Sequence, residues 1–267
     1  MMKYLVWPFL QGWRPSGRSK QLTREEIILQ GVDLNQPGLE IGPSFRPLAC
    51  KRKGHQVKIL DHAPTEVLRD KYRAQGIDVS LVEEVDFVWE GGRLREVLKG
   101  HSFDWILASH VIEHSVCLIS FLQDCEAALR PGGILSLAIP DKRYCFDHDR
   151  ECTSLARIID ILEQGPRVHT IGSVAKFYLK ACTKNGMIAW DPDTSGAIQA
   201  RHQPADALEC MQKAREGIYL DIHSWVFTPV TFRELIRDLQ TLGYVGMKEA
   251  RFTDTLGHEF FVQLEKK

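Results

Sequence analysis

Residues able to do chemistry gather at five places in this chain. The first is Gly38-Leu-Glu40-Ile-Gly42-Pro43-Ser44-Phe-Arg-Pro47, an apolar run that ends in an acid, a glycine and a turn. Two prolines remove backbone donors and fix φ, so the chain must leave a sheet here. Gly42 has no Cβ, which lets a ligand approach the backbone closely, as a nucleotide cradle requires. The second is Asp61, which ends the next apolar run, 19 residues after Gly42. An acid at that position is placed to accept hydrogen bonds from a ribose diol, or else to cap the helix that opens near Pro64.

The third place is Ser109-His110-Val-Ile-Glu113-His114. It matches H-x-x-E-H, the inverted zinc-peptidase signature, which needs both histidines on one helical face, a third ligand and Glu113 as base. Against that, the motif starts directly at the end of a buried strand. His110 then reads as a cofactor-facing or basic group or as a turn residue, and His114 as a helix-start residue bonded to nearby backbone. The fourth is the run Pro140-Asp141-Lys-Arg143-Tyr144-Cys-Phe-Asp147-His-Asp-Arg150. It offers bases, cations and rings that suit a polar, anionic or sugar-like acceptor, or else a solvated loop held by its own ion pairs. The fifth is Asp221-Ile-His223-Ser-Trp225. His223 and Trp225 share a face if the segment is extended, and His223 serves either the acceptor or the core.

These residues need elements to position them. Thr23 and Glu26 form a capping-box pattern that predicts a helix start. Strands are predicted at 38–41, 57–61, within 79–88, at 103–109 and at 134–139, with helices at 65–75, 94–98 and 118–129 between them. The run 103–109 is apolar and bounded by polar residues, as a buried parallel strand should be. Strands alternating with helices predict a parallel sheet with right-handed crossovers. The alternation stops after Pro140, and 141–228 read as helices and loops with no clear strand. A helix from Pro229, ended by Gly243, and two strands at 245–252 and 259–264 close the chain as an antiparallel hairpin.

Composition bounds the rest. At 267 residues and 44% hydrophobic, the chain can build one large core with an insertion. A net charge of −1 argues against an obligate nucleic-acid binder. Seven scattered cysteines, with no C-x-x-C pair, fit a reducing cytoplasm better than a disulfide framework or a zinc ribbon. The apolar segment 4–13, broken by Pro8, is too short to span a bilayer and lacks a cleavage site, so the first 30 residues read as a packing segment or lid.

Four stretches, in this order, resemble the motifs of class I S-adenosylmethionine-dependent methyltransferases of the type 11 branch. They are Leu39-Glu-Ile-Gly-Pro43, Leu60-Asp61, Phe103 through His114, and Leu129-Arg-Pro-Gly-Gly through Pro140. The resemblance covers 36–140 well and 225–265 loosely. It implies a Rossmann-like α/β fold, a seven-stranded, mostly parallel sheet with the antiparallel C-terminal hairpin and a helical insertion, in one domain over 1–267. Residues 141–228 would form the cap. It implies S-adenosylmethionine as cofactor, released as S-adenosylhomocysteine. Glu40, Gly42, Pro43 and Ser44 would lie against its methionine part and Asp61, with His62 beside it, on the ribose. Asp86 and Phe87 would flank the adenine, and Ser109 and His110 would lie near the amino group and the methyl. The family's first turn usually reads G-x-G, and here Ser44 stands at the second glycine.

Methyl transfer from a sulfonium needs alignment and exclusion of water, and no metal. For a hydroxyl acceptor a base must take a proton, and His110, Asp141 and His223 are the candidates. Arg143, Tyr144, Asp147 and Trp225 are the candidates for acceptor contacts. The Pro140–Tyr144 pattern looks like methyltransferases of polysaccharide or glycan synthesis, so O-methylation of a small-molecule or glycan-type acceptor is expected, with no nucleic acid and no membrane span. Three other readings stay open: a non-catalytic relative that keeps the fold as a binding protein, a zinc hydrolase through His110, Glu113 and His114, and a nicotinamide enzyme. The missing G-x-G-x-x-G counts against the last.

Overall fold

The computed structural model describes residues 22–267, so the 4–13 segment lies outside the described residues. The capping box forms as its spacing predicts. Thr23 Oγ1 accepts the Glu26 N–H while the Glu26 carboxylate accepts the Thr23 N–H, and α1 runs Arg24–Ile28. The next elements are β1 (Gly38–Ile41), β2 (Val57–Asp61), α2 (Thr65–Arg73), β3 (Phe87–Val88), α3 (Leu94–Val97) and β4 (Phe103–Ser109). They are followed by α4 (Leu118–Ala128) and β5 (Leu129–Pro140). β3 is two residues long because the chain before it folds locally. Ser80 N–H turns back onto Asp78, and Val82 packs with Leu68 and Tyr72 on α2. β5 begins earlier than expected, since Leu129 already pairs with Phe103 before the ladder slips and resumes at Ile134.

The insertion holds α5 (Leu155–Gln164), α6 (Ile171–Lys180), β6 (Cys182–Lys184), β7 (Ile198–Ala200) and α7 (Pro204–Arg215). The antiparallel β6–β7 ribbon corrects the expectation of no strand there. Asn185 and Gly186, both at positive φ, reverse the chain so that Lys184 meets Met187, which is the Asn-Gly hairpin turn. Phe146, Val174, Phe177, Cys210 and Ile222 form a small core of their own within this part. The chain returns through α8 (Pro229–Thr241), β8 (Lys248–Leu256) and β9 (Glu259–Glu265). β8 starts after Met247 because Val245 and Met247 are drawn into the main core, and the Gly246 N–H is taken by Glu126.

The seven strands form one sheet in the order β3-β2-β1-β4-β5-β9-β8. The first five strands run parallel, and β9 is antiparallel to both β5 and β8. Both faces are covered. Ile106 and Ala108 of β4 face a core with α4 and α8, while Trp105 and Leu107 face Ile27 and Ile28 of α1. This alternation fixes the register, because a one-residue slip would turn every β4 side chain to the wrong face. Among the described residues no helix is long and apolar enough to cross a membrane, and all seven cysteines are unpaired.

Two contacts fix the start and the end of β1. At its start, the Trp105 indole lies on Gly38, and its Nε1 donates to Asp33 O and Gln36 O at 2.9 and 3.0 Å. A Cβ on Gly38 would stand 1.9 Å from Trp105 Cε2. Near its end, the buried Glu40 accepts the N–H groups of Leu48 and Ala49, each at 2.9 Å, and so holds the chain that leaves the Gly42 turn.

Gly38→Ala is therefore expected to cost about 3 kcal/mol in urea unfolding by forcing the indole out. Gly172→Ala in α6, where a Cβ meets nothing within 4 Å, should cost nothing and gain about 0.5 kcal/mol. Burial pushes the Glu40 carboxyl up to about 7, with the two N–H groups working against it. A folded-state value above the unfolded 4.5 contributes stability that is fully present below pH 4.5 and lost as pH rises through 7. Relative to Glu40→Gln, the native chain should thus lose on the order of 3 kcal/mol across that window, measured by urea midpoints at each pH.

Candidate active site

β1 has β2 on one side and β4 on the other, so the sheet order reverses there. Ligands of open α/β sheets bind beyond the carboxyl ends of the strands at such a point. Among the described residues, a crevice of about 1670 Å³ opens there. One small-molecule pocket takes roughly 300–1,000 Å³, so there is room for two ligands.

One end of the crevice is the turn after β1. Gly42 has φ 64°, and a Cβ on it would lie 3.2 Å from Val111 Cγ2. Ser44 stands at φ 57°, in the left-handed region that glycine ordinarily fills. The serine at the second glycine position thus keeps the glycine conformation. Its N–H reaches Asp61 Oδ2 at 3.3 Å, and Tyr72 Oη donates to its Oγ at 2.7 Å. Asp61 is buried, and its Oδ1 accepts the His62 N–H at 2.8 Å and lies 2.6 Å from His62 Nδ1. Glu40, Gly42, Pro43, Ser44, Asp61, His62, Ser109 and His110 all line this crevice. The turn supplies close backbone and the strand end supplies a carboxylate, which fits the adenosyl cofactor that the sequence implies.

The floor is where β4 ends. His110 leaves the strand at φ 54°, an unusual conformation for a non-glycine residue. Its Nε2 pairs with Glu259 Oε2 at 2.7 Å. Glu259 also accepts from Arg24 Nε at 2.5 Å, and Arg24 Nη2 donates to Ser109 Oγ at 2.6 Å. Burial opposes the charge on His110, but Glu113 and Glu259 outweigh it and raise its pKa. Burial likewise opposes charge on Glu259, yet His110 and Arg24 hold it well below the ordinary carboxylate range.

The other end is polar and then aromatic. The motif His110-Val-Ile-Glu113-His114 forms a short 3-10 turn, so the two histidines do not share a helical face and the zinc-peptidase geometry is not formed. Instead His223, arriving from the end of the insertion, lies beside His114 with ring centroids 4.5 Å apart. His114 Nε2 and His223 Nε2 stand 3.9 and 3.8 Å from Glu113 Oε1. Each ring has a carboxylate on its far side, Asp221 at 2.7 Å from His114 Nδ1 and Asp147 at 2.6 Å from His223 Nδ1. Arg150 is buried against Asp147. Burial opposes ionisation of Asp147, but Arg150 and His223 overcome it and hold the acid at about 2. Phe146, Phe177 and Tyr219 line the crevice beyond this group.

Several expected site residues lie elsewhere. Asp86 is clamped by Lys51 and Lys58 and by the Ile59 N–H, and Phe87 packs edge-on against His101. Neither lines the crevice, and Trp89, Glu90 and Gly91 stand there instead. Asp141 is fully buried, bonded by Arg143 and by Thr255 Oγ1, and it caps the 3-10 turn of Lys142–Tyr144. It therefore does not converge with His110 and His223. Arg143 lines a separate hollow of about 230 Å³ with Thr228 and Arg233, and Tyr144 lies under its guanidinium. The Trp225 indole is buried and donates to Ser115 O, so it too faces away. Asp147 stands behind His223 rather than on the wall. Arg24, Tyr72, Trp89 and Glu259 carry site contacts that sequence reasoning did not single out. Only the capping box beside Arg24 hinted that an ordered element lay there.

Residues 37–137 match a methyltransferase-domain family of type 11. Over 112 residues the chain is 30% identical to a ubiquinone biosynthesis O-methyltransferase of Methylocella silvestris, covering 41% of this chain and 40% of that one. Over 113 residues it is 34% identical to a protein of the same name from Methylobacterium sp. strain 4-46, covering 41% of each. The chain thus spans about two fifths of the length of the curated relatives it matches. Among solved structures, the Burkholderia thailandensis 1,6-didemethyltoxoflavin-N1-methyltransferase is similar at a TM-score of 0.45 and 13% identity, over 91% of this chain and 76% of that one. The likeness to a methyltransferase domain of type 11 is thus carried by residues 37–137.

Proposed function

We propose that the chain transfers a methyl group from S-adenosylmethionine to a hydroxyl oxygen of a small-molecule acceptor. The observation that carries this reading is the pairing of the Gly42–Ser44 turn with the Asp61 carboxylate at the sheet's reversal point. Gly42 and Ser44 would admit the methionine part against backbone, Asp61 would hold the ribose hydroxyls, and Trp89 would offer a flat face to the base. The cofactor supplies a methyl carbon already activated on a sulfonium. The residues of the chain bind, align and exclude water, and residues 141–228 act as the cap.

The O-methyltransferase names of the curated relatives support oxygen as the accepting atom. The acceptor would enter at the His114–His223 end, where Phe146, Phe177 and Tyr219 favour a flat apolar body. Arg143 and Tyr144, which suggested a glycan, face away from this wall, so a ring-bearing hydroxyl compound is the better-supported acceptor. Unpaired cysteines support a reducing compartment such as the cytoplasm.

S-adenosylhomocysteine at 100 times its dissociation constant should stabilise the full chain by about 2.7 kcal/mol in thermal unfolding. Asp61→Ala should weaken that binding by tenfold or more, about 1.4 kcal/mol. Absence of any shift at saturating ligand would overturn the enzyme reading and favour a non-catalytic binding protein.

A further inference from the structure

Glu113 is the least satisfied charged group in the described core. Its side chain is 1% exposed, and neither carboxylate oxygen has a hydrogen-bond partner among the described residues. A buried carboxylate left in this state is costly unless something charged completes its surroundings. What faces it is three imidazoles, His110 Nδ1 at 3.5 Å and the Nε2 atoms of His223 and His114 at 3.8 and 3.9 Å. Those separations are too long for hydrogen bonds. Ligand atoms bonded to one shared ion at ~2.0–2.2 Å, with angles of roughly 110–135°, stand about 3.4–3.9 Å apart, which the two Nε2 separations match.

The surroundings of the two rings carry the same message. Asp147 and Asp221 stand at the Nδ1 atoms of His223 and His114. An ionised carboxylate only accepts, so each fixes the proton on Nδ1 and turns the Nε2 electron pair toward Glu113. Metal-bound histidines are oriented by just such a carboxylate behind the ring. One candidate ligand atom each from Glu113, His114 and His223 lies within 4.8 Å of the others.

We propose that Glu113, His114 and His223 bind a divalent transition-metal cation at the acceptor end of the crevice. Two imidazoles and one carboxylate select zinc or cobalt over calcium or magnesium, which prefer oxygen ligands. The ligand set differs from the H-x-x-E-H reading. His110 is engaged by Glu259, Glu113 is a ligand rather than a base, and the third ligand comes from the far end of the insertion. His114 and His223 both line the crevice, so the remaining coordination positions face the acceptor. The site deepens the methyl-transfer reading and rests on it for its use. The cation draws the acceptor oxygen and favours loss of its proton to water. The oxygen's electron pair then forms the C–O bond as the methyl C–S bond breaks, with that pair leaving on the now neutral sulfur.

The test uses the full chain, stripped with a chelator and titrated with Co2+. One equivalent should bind and give visible ligand-field absorption, and Zn2+ should abolish the colour by displacement. His114→Gln and His223→Gln should each weaken cobalt binding by at least about 100-fold while retaining stabilisation by S-adenosylhomocysteine, which shows that they fold. Asp221→Asn keeps all three ligands and loses only the carboxylate behind His114, so it should weaken binding about tenfold. Failure to bind a stoichiometric ion, or binding that is equal in the native chain and both histidine variants, would overturn the site. S-adenosylhomocysteine stabilisation without cobalt binding removes the metal and leaves the methyl-transfer reading intact. Cobalt binding without that stabilisation does the reverse.

Discussion

A charge taken out of water must find partners, and Glu259 shows how far this fold goes to supply them. The residue opens β9, yet its carboxylate is met by Arg24 from α1 and by His110 at the end of β4. Arg24 continues to the Ser109 hydroxyl. Removing one partner of such a buried group commonly costs about 3–5 kcal/mol, because the remaining charge is stranded. The node therefore ties an early helix, the central strand and the closing hairpin to one point on the crevice floor. It also holds His110 in its left-handed turn, and that turn sets the direction in which Glu113 and His114 leave the sheet. The opposite pole of the crevice depends on this exit.

Charge pairing also organises the second pole, by a different route. Arg150 compensates Asp147, Asp147 orients His223, and His223 meets His114 beside Glu113. Three of these residues come from the insertion or its return. The insertion thus supplies part of this polar group. The glycine turn and the Asp61 carboxylate sit on the sheet, whereas the His114–His223 end is assembled from the sheet and the insertion together.

What the chain revealed by sequence follows this division. The positions of the Gly42 turn, Asp61 and the strand ends were legible because they rest on local spacing and backbone conformation, which neighbouring residues dictate. Ser44 looked irregular by residue type, yet its φ of 57° shows that conformation, not identity, was kept. Asp86 and Asp141 misled because an acid after a strand reads alike whether it faces a ligand or a lysine. Only the fold brings Lys51 and Lys58 to the one and Thr255 to the other. Glu259 was silent for the converse reason, since its partners Arg24 and His110 are distant in sequence and no local pattern marks it. The insertion is different again: Asn185-Gly186 is a readable turn signal that closes the Lys184–Met187 bridge, whereas the β6–β7 pairing across residues 185–197 has no local mark.

The placement of β9 has a consequence for how the molecule comes to exist. It lies between β5 and β8, so the interior of the sheet is completed by the last of these seven strands to be synthesised. Until then β5 presents an unpaired edge carrying Leu135, Leu137 and Ile139, all of which are buried in the finished core. An exposed apolar edge of this kind invites pairing with other chains. The nascent protein must hold that edge open through the whole synthesis of the insertion, so folding of this sheet competes with association for as long as β9 is missing.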